Sequence, residues 1–181
     1  MSYIKIPKDR VAVLIGKGGS TKREIEKRSG CELVVDDGSV EILGEGMGAW
    51  IAKDIVQAIA RGFNPGIAMQ LLNDEFSFEL IKLDDFANSE KEMMRKKGRV
   101  IGREGKSQRV LGDLTETRIC VYGKTIGIIG TYDGVHLAKE AVFRLLNGAR
   151  HASVYRFLEN ARGQGLDPEA ETSAPVVSFK S

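Results

Sequence analysis

The stretch Ile15-Gly16-Lys17-Gly18-Gly19 returns 86 residues later as Ile101-Gly102-Arg103-Glu104-Gly105. The same register, held without a gap, sets Arg23 on Arg109, Val35 on Val121, Ile42 on Ile128 and Gly44 on Gly130. It continues through Ala52-Lys53 on Ala138-Lys139 and ends with Gly62 on Gly148. One Gly-x-x-Gly is a weak signal, but a glycine loop that recurs inside a matching register marks a duplicated unit. The chain reads as a tandem of two small domains, each presenting bare backbone to a ligand.

Composition sets the outer limits. A length of 181 residues has room for one ordinary domain or two small ones, each near the lower size for a self-supporting core. No apolar run approaches the roughly 18 residues needed to cross a bilayer. Met1 to Lys5 lacks the charged-then-apolar layout of a signal peptide. Cys31 and Cys120 form no metal-binding spacing and fall at strand-like positions, so they read as small buried hydrophobes in a reducing cytoplasm. The formal net charge is only +2, which says little about a polyanionic partner.

Local charge says more. Lys8, Arg10, Lys17, Lys22, Arg23, Lys27 and Arg28 surround the first loop, against Asp9, Glu24 and Glu26. Lys91, Arg95, Lys96, Lys97, Arg99, Arg103, Lys106 and Arg109 surround the second, against Glu92 and Glu104. Solvated helix faces are the bland explanation of such runs. Clustering beside both glycine loops favours phosphate binding.

Hydrophobic spacing gives each unit the order strand, helix, loop, helix, strand, strand, helix. Tyr3 to Pro7 alternates as a strand, and Val11 to Ile15 is a short apolar helix running into the loop. Ser20 or Thr21 is expected to cap the next helix, with Glu24 completing a capping box. Glu32–Asp36 and Ser39–Leu43 read as strands across an Asp37-Gly38 turn, followed by a helix from Ala49 to Phe63. The second unit repeats this order from Phe76 onward. About nine extra residues precede its glycine loop, at Asn88 to Lys96, which predicts a longer and more basic lead-in helix. Asn64-Pro65-Gly66 breaks the chain between the units, and His151 to Arg162 reads as one further helix. Trp50, Ile51, Phe63, Phe76 and Phe78 are candidates to seal the two units together.

Glycine lets backbone amides approach a phosphate, and the helix that follows adds its positive end. Val11, Leu14, Ile15, Ile25, Leu33 and Val35 would form an apolar floor behind the first loop, with Val100, Ile101, Leu111, Ile119 and Val121 as counterparts. Most of these are core, and one or two per unit would lie open in a groove. Such a floor accepts unstacked bases while the loop holds the backbone, as in recognition of single-stranded RNA.

On these residues and this element order, the chain resembles tandem KH domains of the eukaryotic (type I) arrangement. The resemblance implies an α+β fold of two tandem type I KH domains, each a three-stranded antiparallel sheet packed on three helices. It sets the first KH domain with a linker helix at 1–74, the second with an extra C-terminal helix at 75–162, and a loose tail at 163–181. The implied RNA clamps are Gly16, Lys17, Gly18, Gly19, Lys22 and Arg23, then Gly102, Arg103, Glu104, Gly105, Lys106 and Arg109. Lys22 and Gln108 depart together from the apolar residue that KH domains often carry there. Glu104 puts a carboxylate in the second loop, whereas the basic surround there is larger, so the two clamps are not expected to be equivalent.

Ala60 to Ala68 with Leu71-Leu72 narrows the match. This linker resembles that of tandem-KH proteins of small-subunit ribosome assembly: the partner-of-Nob and Krr-type factors and their compact archaeal relatives. The short N-terminus fits the archaeal form. The resemblance implies binding to ribosomal RNA near the 3′ end of the small-subunit RNA. It also implies a Nob-type endonuclease and the alpha subunit of translation initiation factor two as partners, with no cofactor, metal or catalytic residue.

Two other readings compete. Gly105-Lys106-Ser107 has the ending of a nucleotide-binding P-loop, but that motif needs a glycine at the position of Val100. His136 and His151 lie on helical stretches, without a nucleophile and carboxylate in catalytic pattern. The second reading is a protein-interaction adaptor with weak RNA affinity, using the last helix and the Pro175-Val176-Val177 tail. Intact glycines and basic neighbours in both loops favour RNA binding.

Overall fold

A computed structural model of the chain describes residues 2–163. The expected tail lies outside them, except for Gly163, which closes the last helix. The first unit runs β1 (Ser2–Lys5), α1 (Lys8–Ile15), α2 (Ser20–Ser29), β2 (Glu32–Asp36), β3 (Ser39–Leu43) and α3 (Gly46–Ala60). A short helix α4 (Pro65–Ala68) and a 3-10 turn (Met69–Leu72) lead to the second unit. That unit runs β4 (Phe76–Lys82), α5 (Glu90–Ile101), α6 (Lys106–Thr115), β5 (Arg118–Tyr122), β6 (Thr125–Thr131) and α7 (Tyr132–Leu146). Helix α8 (His151–Gly163) follows. Each unit is a three-stranded antiparallel sheet, ordered β1-β3-β2 and β4-β6-β5, packed on its helices.

Local chemistry explains most boundaries. Pro7 stands at the N-cap of α1, and Asn64 caps α4 through its side chain with Pro65 as the first helical residue. Ser89 caps α5 by accepting the Glu92 amide, while Glu92 reaches back to the Asn88 amide. The lead-in helix α5 has 12 residues against 8 in α1, as the inserted segment predicts. The capping box expected at Ser20, Thr21 and Glu24 does not form. Gly19, left-handed at φ 78°, occupies the N-cap and carries the turn straight into the helix, so Ser20 is already helical. Glu24 pairs instead with Arg28, one turn on.

Two arginines brace the lead-in helices. Arg10 donates to the carbonyls of Ile59 and Phe63 at 2.8 and 2.7 Å, closing the C-terminal end of α3. Arg99 donates in the same way to Leu145, at 3.0 Å, and to Ala149 beyond α7. The four acceptors keep the 86-residue register, whereas the donors stand one helical turn apart within it. In both units a planar, always charged group satisfies orphan carbonyls at a helix end.

The two sheets differ in one respect that sets the architecture. β3 alternates, burying Val40 and Ile42 and leaving its other residues half-exposed. β6 is buried on both faces from Thr125 to Gly130. Its Ile126 and Ile128 enter the second core with Val100, Leu111 and Leu145. Ile129 joins the core of the first unit, beside Phe63, with Phe76, Phe78 and Cys120 packed against it. The outer face of the second sheet is therefore the seat of the first unit. Phe63 meets Phe78 edge-on, with ring centroids 6.2 Å apart. Of the expected sealing residues, Phe63, Phe76 and Phe78 serve and Ile51 packs into the first core. Trp50 does not: it is 71% exposed, with Lys53 over its ring.

Candidate nucleic-acid interface

Each glycine loop is a hinge between two helices, α1 and α2 in the first unit, α5 and α6 in the second. Backbone conformation is the same in both: Gly16 at φ 72°, ψ 173° and Gly102 at φ 75°, ψ 177°. Gly18 and Glu104 follow at φ 60° and 53°, then Gly19 and Gly105 at 78° and 74°. The first glycine is required twice over. It is left-handed, and a β-carbon on Gly16 would stand 2.3 Å from Thr21 Oγ1, one on Gly102 2.6 Å from Ser107 Cβ. The hydroxyl residue of the next helix thus packs directly under the loop.

Neither α2 nor α6 has a side-chain N-cap. The Ser20 and Lys106 amides already donate to the carbonyls of Lys17 and Arg103 across each loop, and the positive end of each helix remains to attract an anion. Lys17 and Arg103 stand exposed at the loop tips, with Arg23, Lys106 and Arg109 exposed on the first turns. Among the described residues none of these five has an ion-pair or hydrogen-bond partner in the protein. The Arg23 guanidinium lies against Gly19, 3.2 Å from where its β-carbon would be, while a β-carbon on Gly105 would meet nothing within 4 Å. The residues expected from the sequence for each clamp lie together on one loop and the first turn of the helix after it.

The wider basic surround is smaller than the sequence suggests. Arg10 and Arg99 are spent on the helix braces. Lys96 binds Glu92 and the Phe86 carbonyl, and Lys97 the Gly123 carbonyl. Lys8 and Arg28 pair with Asp37 and Glu24.

Behind each loop the floor divides into core and groove, with three residues per unit only partly covered where one or two were expected. Leu14, Ile25 and Leu33 are buried, as are Val100 and Leu111; Val11, Ile15 and Val35, like Ile101, Ile119 and Val121, are only partly covered. Of the partly covered set, Val35 lies in the edge strand β2 and Ile119 and Val121 in the edge strand β5, while Val11, Ile15 and Ile101 lie on the lead-in helices. Lys22 and Gln108, the two departures from the apolar pattern, both serve these edges. Lys22 binds Glu26 Oε1 at 2.8 Å, and that oxygen accepts the Leu33 amide at 2.9 Å. Burial works against the Glu26 charge, but the ammonium and the amide outweigh it and hold the carboxyl below its ordinary value. In the second unit Gln108 Nε2 donates to the Ile119 carbonyl at 2.7 Å.

The sequence did not reveal Glu26 as a groove residue, though its i,i+4 spacing from Lys22 was a signal for the pair. It gave no signal for Asp9 and Tyr122, 113 positions apart, whose 2.7 Å hydrogen bond ties α1 of one unit to the end of β5 in the other. That bond, with burial and the charge of Asp9, raises the Tyr122 phenol above its ordinary value. Among the described residues no cluster of three or more His, Cys, Asp or Glu could hold a metal ion, and no helix is long and apolar enough to cross a membrane.

Known proteins agree with this architecture. The family model for the KH domain matches residues 2–58, and that for the eukaryotic type KH-domain (KH-domain type I) matches 77–163. A KH domain-containing protein of Methanocaldococcus jannaschii is 51% identical over 168 residues, 90% of this chain and 74% of that protein. The pre-rRNA-processing protein pno1 of Schizosaccharomyces pombe is 32% identical over 116 residues, 63% of this chain and 48% of its own length. This chain thus spans about half of that eukaryotic relative. A crystal structure of an a/eIF2alpha-aDim2p-rRNA complex from Pyrococcus horikoshii superposes with a TM-score of 0.82 at 42% identity, covering 90% of this chain and 94% of the other. The chain belongs to the type I KH-domain family, among the tandem-KH RNA-binding proteins of the PNO1 and Dim2p kind.

Proposed function

We propose that this protein binds single-stranded RNA through both glycine loops, with Gly16, Lys17, Gly18, Gly19, Lys22 and Arg23 in one clamp. The other is formed by Gly102, Arg103, Glu104, Gly105, Lys106 and Arg109. The observation that carries this reading is the shared loop conformation, opening in each unit onto an uncapped helix with exposed cations that the protein itself leaves unpaired. The Pyrococcus complex contains rRNA, and the Schizosaccharomyces relative is named for pre-rRNA processing. Both support ribosomal RNA as the target and ribosome assembly as the setting. A site near the 3′ end of the small-subunit RNA, a Nob-type endonuclease partner and a cytoplasmic location rest on the family resemblance. The alpha subunit of initiation factor two is supported further by the a/eIF2alpha in the Pyrococcus complex. The role is binding, not catalysis.

Replacing Lys17-Gly18 and Arg103-Glu104 by two aspartates each tests the reading. RNA affinity measured across a salt series should collapse, and most of its salt dependence with it. Unchanged, salt-insensitive binding would overturn the proposal.

A further inference from the structure

The duplicated grooves are not copies of one another where a base would meet the sheet. The hairpins at Asp37-Gly38 and Gly123-Lys124 are two-residue turns closed by the pairs Asp36↔Ser39 and Tyr122↔Thr125. Alternation from those closing pairs puts Leu33 and Val35, and Ile119 and Val121, in non-hydrogen-bonded pairs. Their N–H and C=O groups therefore point away from the sheet, along the open edges of β2 and β5. A nucleobase presents donors and acceptors on its Watson–Crick edge, and such a strand edge can read them.

In each unit one half of the leading position is already filled. At Leu33 the amide is taken by Glu26, leaving the carbonyl. The 86-residue register sets Gly112 on Glu26, so the second unit has no such carboxylate. Gln108, in register with Lys22, fills the Ile119 carbonyl instead and leaves the amide. A carbonyl only accepts, so the Gln108 group that touches it must be its N–H.

Resting on the RNA-binding reading above, we propose that Glu26 and Gln108 give the two grooves opposite base preferences at this position. The first groove offers an acceptor at Leu33 followed by the Val35 amide, which matches the amino group and ring nitrogen of adenine or cytosine. A keto oxygen there would face the Leu33 carbonyl and the Glu26 carboxylate. The second groove offers two donors, the Ile119 and Val121 amides, on either side of a filled carbonyl. They match the keto oxygen of uracil or guanine, while an amino group would meet the Gln108 N–H.

The test uses the full chain with one clamp disabled at a time by the aspartate pairs, and single-stranded RNA hexamers randomised at all positions but one. The first groove should favour adenine or cytosine over uracil or guanine by about tenfold, the factor that one hydrogen bond carries, and the second the reverse. Glu26→Ala should erase the first preference and Gln108→Ala the second. Glu26→Gln, which still presents an oxygen to the Leu33 amide, should keep the first and guards against loss through misfolding. Amide exchange in the RNA-free protein gives a second readout: Leu33 slow, Ile119 faster, and Leu33 accelerated in Glu26→Ala. RNA binding with the same preference in both grooves, or preferences that survive both alanines, overturns this inference alone. Failure of the unmodified chain to bind any of the hexamers overturns the binding reading and this inference with it.

Discussion

Phe63 occupies the space that a side chain on Gly127 would need: a β-carbon there would stand 2.5 Å from the ring Cε2. Gly127 lies in the middle of β6, paired with Leu80 and Cys120. The ring follows the C-terminal end of α3, so one glycine admits the first unit onto the sheet of the second. This contact, with the Asp9–Tyr122 hydrogen bond, holds the two grooves in one relation.

Gly127→Ala is accordingly expected to strain the contact between the units. Overpacking of this kind costs about 1–3 kcal/mol. The thermal midpoint should fall by roughly 2–4 °C for each kcal/mol in a chain of this size. A calorimetric scan checks this, and an unshifted midpoint would mean that the ring moves aside freely.

Glu104 is one of two described non-glycine residues with positive φ, at 53°. Its left-handed backbone costs about 1 kcal/mol that the equivalent Gly18 does not incur. Glu104→Gly should therefore be neutral to mildly stabilising, since the added flexibility of the unfolded chain offsets part of the relief. It should also tighten RNA binding by removing a carboxylate from the phosphate cradle. Titration of RNA beside a melting curve measures both effects, and weaker binding would show that the carboxylate contributes to recognition.

Lys17 and Arg103 at the loop tips predict the salt dependence of binding. Each phosphate contact removed from a single strand lowers the slope of log K against log salt by about 0.7. Lys17→Ala and Arg103→Ala should each do so, and the double variant should lose about twice as much. Slopes equal to that of the unmodified chain would place the phosphates elsewhere.

Glu26 predicts acid sensitivity. Its folded-state carboxyl lies below its ordinary value despite burial, through Lys22 and the Leu33 amide. A depressed folded value means that the stabilisation is fully present above the unfolded value and is lost as pH falls through the folded one. The urea midpoint should drop between about pH 5 and pH 3, the range around the ordinary carboxylate value, and drop less in Glu26→Gln. Parallel profiles for the two proteins would show that the carboxylate contributes nothing to folding.

Much of this was legible because it is periodic or local. The 86-residue register exposed the duplication, glycine spacing marked both loops, and alternation located β2, β3 and β5 to the residue, with β6 running one residue past the expected end at Gly130. The capping of α2 misled because Thr21 and Glu24 have the right spacing, whereas the left-handed Gly19 had already started the helix. Local charge misled for a related reason. A sequence counts Arg10 and Arg99 as cations near a loop, but each guanidinium is turned inward onto helix-terminal carbonyls.

The amino-acid sequence by itself determined two KH units, their element order and the residues of both glycine loops, since these depend on backbone preference and hydrophobic period along the chain. Only the tertiary structure decided which face of the second sheet receives the first unit, which cations stay available, and which backbone groups of each edge strand remain open. Those depend on contacts such as Phe63 with Gly127, Asp9 with Tyr122 and Glu26 with Leu33. Long-range packing and hydrogen-bond satisfaction choose such partners across the fold, and no periodicity in the chain records that choice.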